Sequence, residues 1–153
     1  MAITVIDTNV LVGLLDSKDK WHSTAVAIRD ILNKAGAELV FFYFVVNEAM
    51  SVLVRRANEQ KRLKEIGDLL DNLIRLIPPN DISWISEDTR RLYDQIVGLV
   101  KSSAGLLNFN DALIALTCRE QKISFLISFD CDFDQINWIK RLDNADAISS
   151  ALL

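Results

Sequence analysis

An α/β domain is expected of this chain: three layers, α/β/α, around a mainly parallel, twisted sheet of four to five strands. Short β-branched or aromatic runs alternate with helix-period segments along its whole length. Those runs are continuously apolar, as in strands covered on both faces. Parallel neighbours need crossover helices, and the alternation supplies them. No repeat, low-complexity tract or linker interrupts the 153 residues, so a single domain over 1–153 is expected.

Ala2 to Ile6 is a buried first strand ended by Asp7. Thr8 or Asp7 can cap a helix over Asn9 to Asp16, with Val10, Leu11, Leu14 and Leu15 at helical spacing. A second helix is predicted from His22 to Ala35, capped by Ser23, packed through Ala25, Ile28, Ile31 and Leu32, and ended by Gly36. Glu38 to Phe44 reads as the second strand. A helix follows over Val46 to Asn58 on Ala49, Val52 and Leu53, then another over Lys61 to Leu76 that Pro78 and Pro79 stop. Asp81 to Trp84 is a candidate short strand. Ser86, Asp88 and Thr89 start a helix running to Val100, and Lys101 to Leu107 is loop-like. Phe109 to Gln121 is helical, Ile123 to Ser128 a strand, Asp130 to Gln135 a loop or turn, and Trp138 to Leu142 an edge strand before a short final helix.

Half the residues are hydrophobic and a quarter charged, with 5 Gly and 2 Pro, which excludes long disorder. No apolar run approaches the roughly 20 residues a bilayer span needs. The N-terminus lacks a basic segment and meets Asp7 early, unlike a secretory signal. A cytoplasmic protein without membrane association is therefore expected. The net charge of −4 argues only weakly against nucleic acid, because a carboxylate cluster would be part of that sum. Cys118 and Cys131 make no disulfide framework. With His22 the sole histidine, neither a zinc site nor hydrolysis by paired histidines is expected.

Four acids punctuate the apolar segments: Asp7, Glu48, Asp111 and Asp130. Each would be costly at a buried edge unless paired, hydrogen-bonded or bound to a cation. Singly, each has an ordinary explanation as a turn residue or a helix-dipole partner. Together they converge. Asp7 and Asp130 follow strands of a parallel sheet, and Glu48 and Asp111 open helices that start from the same rim, where α/β sheets bind ligands. Asp111 shares the side of its helix with Ile114 and Ala115. Like charges so close raise one another's pKa, and hard oxygen ligands suit Mg²⁺ or Mn²⁺.

Val5-Ile6-Asp7-Thr8-Asn9, Glu48, Asp111-Ala-Leu-Ile-Ala-Leu and Leu126-Ile-Ser128-Phe-Asp130-Cys-Asp132-Phe133 resemble, in that order, the PIN-domain family of metal-dependent ribonucleases, and within it the VapC-type toxins. The similarity covers nearly the whole chain. It implies that Asp7, Glu48, Asp111 and Asp130 form an acidic quartet. The metal would be held by Asp7, Asp111 and Asp130, with Asp132 an alternative or addition to Asp130 and Asp134 a solvated third candidate. Asn9 and Ser128 would support the site. The implied reaction is Mg²⁺- or Mn²⁺-dependent hydrolysis of RNA phosphodiesters, leaving a 5′-phosphate and a 3′-hydroxyl. Glu48 would orient the attacking water, help take its proton, or bind a second metal. The resemblance also implies an antitoxin partner and a homodimer. The apolar helix carrying Leu63, Ile66, Leu69, Leu70 and Leu73 could supply either surface or pack within the monomer.

RNA needs positive charge nearby. The candidates are Arg55, Arg56, Lys61, Arg62 and Lys64, with Arg90 and Arg91 as a second pair, although helix surfaces ordinarily carry such residues. Trp21, Phe41 to Phe44 and Trp84 could stack bases, or simply pack. A phosphatase working through an aspartyl intermediate would need Asp where Asn9 stands. The alternatives kept open are a stand-alone RNA-processing nuclease and an inactive RNA- or protein-binding scaffold.

Overall fold

Strand β1 (Ile3–Ile6) occupies the centre of a five-stranded sheet and pairs on both sides with segments distant in sequence. The computed structural model describes residues 1–84 and 87–153, together with all side chains there except those of Glu87 and Asp88. The expected helix start at Ser86 therefore lies outside the described residues, whereas positions 88 and 89 of that expectation are helical. After β1 come α1 (Thr8–Leu15), α2 (His22–Ala35), β2 (Glu38–Phe42), α3 (Tyr43–Glu59), α4 (Ile66–Leu76), β3 (Ile82–Ser83), α5 (Glu87–Arg91), α6 (Tyr93–Ser102), α7 (Phe109–Glu120), β4 (Phe125–Ile127), β5 (Lys140–Leu142) and α8 (Ala145–Leu152).

The strand order is β3-β2-β1-β4-β5, and every pairing is parallel. Val5 registers with Val40 on one side and with Leu126 on the other. All five strands therefore end on one rim, and the order reverses between β1 and β4, the topological position that gathers ligands in such sheets. Among the helices α1 packs on α2, α3 and α4, and α2 packs on α8, while α6 packs on α7, completing the three layers. Val5, Phe42, Leu126 and Ile127 from the strands meet Leu11, Leu53 and Ile114 from the helices in the buried core.

Several boundaries differ from expectation for local reasons. Asp7 is the cap of α1, its carboxylate accepting from the Thr8 N–H, so that helix includes Thr8. α2 spans His22–Ala35 as expected, but Ser23 lies inside it rather than capping it, and the turn at Trp21 before it is held by the Asp19 carboxylate. At its other end Gly36 takes the left-handed conformation (φ 61°) and donates to the Asn33 and Leu32 carbonyls. β2 stops at Phe42, and Tyr43 and Phe44 open α3. Their aromatic β-propensity yields to burial of Phe44 and Val45 on the core side of that helix. The segment read as one helix from Lys61 divides into a 3₁₀ turn, Leu63–Glu65, and α4. The helix expected up to Val100 breaks at Leu92, which is fully buried, and its second part continues to Ser102. The last strand begins at Lys140 rather than Trp138, whose indole N–H donates to the Ala115 carbonyl at 2.7 Å.

Candidate active site

At the end of β1 the chain turns from strand to helix at Asp7, so the carboxylate is fixed from both directions. Asp7 Oδ1 accepts from the Thr8 N–H at 2.7 Å, and Oδ2 accepts from the Ser128 hydroxyl at 2.6 Å. Ser128, fully buried at the end of β4, also accepts from the Asp130 N–H at 3.0 Å and from the Asn9 amide at 3.3 Å. Asn9 in turn accepts from the Phe129 N–H at 3.2 Å. Asn9 and Ser128 thus lace the two central strand ends together.

Asp111 and Glu48 are brought in by helices. α7 begins with a capping box: the Asn108 side chain accepts from the Asp111 N–H, and Asp111 Oδ2 accepts from the Asn108 N–H, both at 2.9 Å. Because α3 begins at Tyr43, Glu48 stands in its second turn rather than the first. Its carboxylate accepts from the Thr8 hydroxyl at 3.1 Å and the Asn110 amide at 3.3 Å. Thr8, expected only as a cap, holds Glu48 here, and Asn108 and Asn110 are contributions that sequence reasoning missed. Only Asn108 had a readable signal there, a cap residue three positions before an acid.

Asp7, Glu48, Asp111 and Asp130 all line one cavity of about 280 Å³, together with Asn9, Asn108, Arg55 and Arg56. Asp132 lies one turn beyond, its N–H donating to Asp130 at 2.9 Å. Ligand atoms of Asp130, Cys131 and Asp132 all fall within 4.8 Å of one another, a spacing that the quartet as a whole does not reach among the described residues. Asp134 sits apart, held exposed by Arg141.

Electrostatics separate these acids from ordinary surface carboxylates. Burial pushes the Asp7 carboxyl up to about 7, against the pull of the Ser128 and Thr8 hydrogen bonds, and the charges of Asp111 and Glu48 raise it further. Burial likewise raises Asp111 to about 6, with Asp130, Glu48 and Asp132 adding repulsion. Among the described residues none of the five acids Asp7, Glu48, Asp111, Asp130 and Asp132 ion-pairs with Lys or Arg. A buried, hydrogen-bonded carboxylate with acidic neighbours and no basic partner is the environment a divalent cation relieves. The all-oxygen donor set fits Mg²⁺ or Mn²⁺.

The cations expected to meet RNA are placed unequally. Arg55 and Arg56 line the cavity, Arg56 bonded to the buried Asp19 carboxylate. Lys61 is exposed at the end of α3. Arg62 turns inward: its guanidinium, only 8% exposed, reaches Asp16 Oδ2 at 2.7 Å and Glu65 at 2.8 Å, so it serves as a strut rather than a surface cation. Arg91 pairs with Glu120 at 3.1 Å. Trp84 stacks on Tyr43 away from the acids, whereas Trp21 lines the acidic cavity.

A family model described as the PIN domain matches residues 4–139. The chain is 26% identical to Ribonuclease VapC6 of Methanocaldococcus jannaschii, over 88% of this chain and 93% of that protein. The fold superposes with a TM-score of 0.62 on a chain in the crystal structure of VapBC2 from Rickettsia felis bound to a DNA fragment from their promoter. That match covers 92% of this chain and 97% of the other at 15% identity.

Proposed function

The chain belongs to the PIN-domain family, and on that premise we propose that it is a metal-dependent endoribonuclease acting as the toxin of a toxin–antitoxin pair. The observation that carries the nuclease reading is the convergence of Asp7, Glu48, Asp111 and Asp130 on one cavity with no basic partner for any of them among the described residues. The name of the Methanocaldococcus jannaschii relative supports the ribonuclease assignment, and the VapBC2 structure supports an antitoxin partner.

Asp7, Asp111 and Asp130 would hold Mg²⁺ or Mn²⁺, with Asp132 able to join from the neighbouring turn. When bound, the cation supplies Lewis acidity to the scissile phosphate and lowers the pKa of the attacking water. The protein does the rest. Ser128 and the Thr8 N–H hold both oxygens of Asp7, so its carboxylate does not rotate away. Thr8 and Asn110 fix Glu48 at the cavity wall, where it orients water and takes its proton. Arg55 and Arg56 supply positive charge on the same wall for the RNA backbone. An antitoxin or second protomer has an apolar groove of about 410 Å³ to use, lined by Tyr43, Val46, Met50, Leu73, Ile74 and Trp84.

The test incubates purified protein and its Asp7→Asn variant with labelled RNAs and Mg²⁺. Cleavage should require the metal, yield 5′-phosphate ends and fall at least about a hundredfold in the variant. Equal cleavage by both proteins, or cleavage undiminished by EDTA, overturns the assignment.

A further inference from the structure

We infer that Trp21 forms a nucleobase-stacking subsite on the wall of the acidic cavity, so that the enzyme grips an unpaired base of single-stranded RNA beside the bond it cuts. This rests on the nuclease reading above and adds to it a specificity element.

Trp21 is 38% exposed, yet it is held on every covalent side. Its N–H donates to Asp19 Oδ1 at 2.7 Å. The other oxygen of the same buried carboxylate takes the Arg56 guanidinium, so one acid fixes the indole's backbone and a cation side by side. Beyond it, His22 Nδ1 meets the Gly13 carbonyl at 2.8 Å. α1 comes so close here that a Cβ at position 13 would lie 3.2 Å from Ala25 Cβ and 3.6 Å from Trp21 Cβ. The ring itself stacks on Phe129, centroids 4.7 Å apart and planes 16° from parallel. Phe129 is the residue between Ser128 and Asp130, and its N–H is held by Asn9. The aromatic pair is thus built on the β4 end that carries the acids.

Lys20, Trp21, Arg55 and Arg56 all line the cavity that Asp7, Glu48, Asp111 and Asp130 line, and the Lys20 ammonium lies 5.4 Å from the Trp21 ring centroid. A rigid, partly exposed aromatic ring beside cations is the combination that binds single strands: the cations track phosphates while the ring stacks a base. Trp21 is backed by Phe129, stays 38% exposed at the cavity, and carries the Lys20 ammonium over its ring, which an incoming base would displace toward its phosphate. Double-stranded RNA keeps its bases stacked on each other and cannot use such a surface, so the subsite selects loops, bulges and ends.

The test measures affinity for a short labelled single-stranded RNA by fluorescence anisotropy, in an Asp7→Asn background that prevents cleavage. Trp21→Leu should weaken binding about tenfold or more, and Trp21→Phe should retain most of it. A single abasic nucleotide, walked along the RNA, should cost the same at one position with Trp21 present and nothing further with Leu there. Equal affinity of the Leu variant, an abasic loss that adds to the Leu loss, or no RNA binding at all overturns the subsite. Cleavage with Asp7 intact separates the two readings. RNA bound through Trp21 but never cut sinks the nuclease assignment alone, whereas RNA cut with KM unchanged by Trp21→Leu sinks the subsite alone.

Discussion

The Asp7 carboxyl meets two neutral donors and no cation among the described residues, so ionising it in the folded, metal-free chain is costly. Its folded value near 7 lies above the ordinary 3.8. Between those limits the unfolded chain releases a proton that the folded chain keeps, so stability from this group falls as pH rises from about 4 to about 7. Asp7→Asn keeps the hydrogen-bonding shape and removes the charge. In EDTA near pH 8 it should be more stable than the natural chain by about 2–4 kcal/mol in a urea melt, the gap closing toward pH 4. Saturating Mg²⁺ should shrink or reverse the gap, because only the natural chain keeps all of the proposed ligands. Asp16 behaves oppositely. Hydrogen bonds from Arg62 hold its carboxyl below the ordinary range, so its contribution is present above about pH 4 and lost as pH falls through the lowered value. Arg62→Met leaves that buried acid unpaired and should cost about 3 kcal/mol in thermal or urea unfolding at neutral pH. Asp7 was legible in sequence because a charge ended an apolar run. The inward turn of Arg62 was not, since its partner Asp16 lies 46 residues away and nothing local distinguishes a strut from a surface arginine.

Elements explain which acids could be found and how they are held. The 3₁₀ turn Cys131–Gln135 carries Asp132, with Asp130 as its cap, and Arg141 of β5 clasps both ends. Its guanidinium donates to the Ser128 carbonyl at 3.1 Å and to both Asp134 oxygens at 2.7 and 3.0 Å. Arg141→Met should loosen the turn and lower Mn²⁺ affinity about tenfold by calorimetry, with a smaller effect on the melting temperature than Arg62→Met. Helix ends offer a second check. Lys122, exposed after α7, takes φ 57° while the Ile123 N–H reaches back to the Cys118 carbonyl at 2.8 Å. Lys122→Gly should therefore stabilise the fold by about 0.5–1 kcal/mol in urea, with cleavage unchanged. The helices and strands were readable from hydrophobic period. Their boundaries moved where tertiary burial outweighed propensity, as at Tyr43 and Phe44, and this is what shifted Glu48 from the first turn to the second.

At the scale of the molecule, an all-parallel sheet with β1 at its centre decides that the acids share one rim. The alternation of strand and helix made the fold class legible, and the rule for strand ends made the convergence legible. The cavity's aromatic wall was not, because Trp21 and Phe129 are 108 positions apart by their numbering and meet only through β1 and β4 pairing. The same pairing has a consequence for synthesis. Ser128, which holds Asp7, is 121 residues further along the chain. A ribosome making this chain exposes Asp7 and Glu48 long before β4 (Phe125–Ile127), which must then insert beside β1. Such long-range closure is slow. Until β4 docks beside β1, the growing chain holds no assembled acid cluster, so the site can form only after most of the chain between Asp7 and Asp130 has been made.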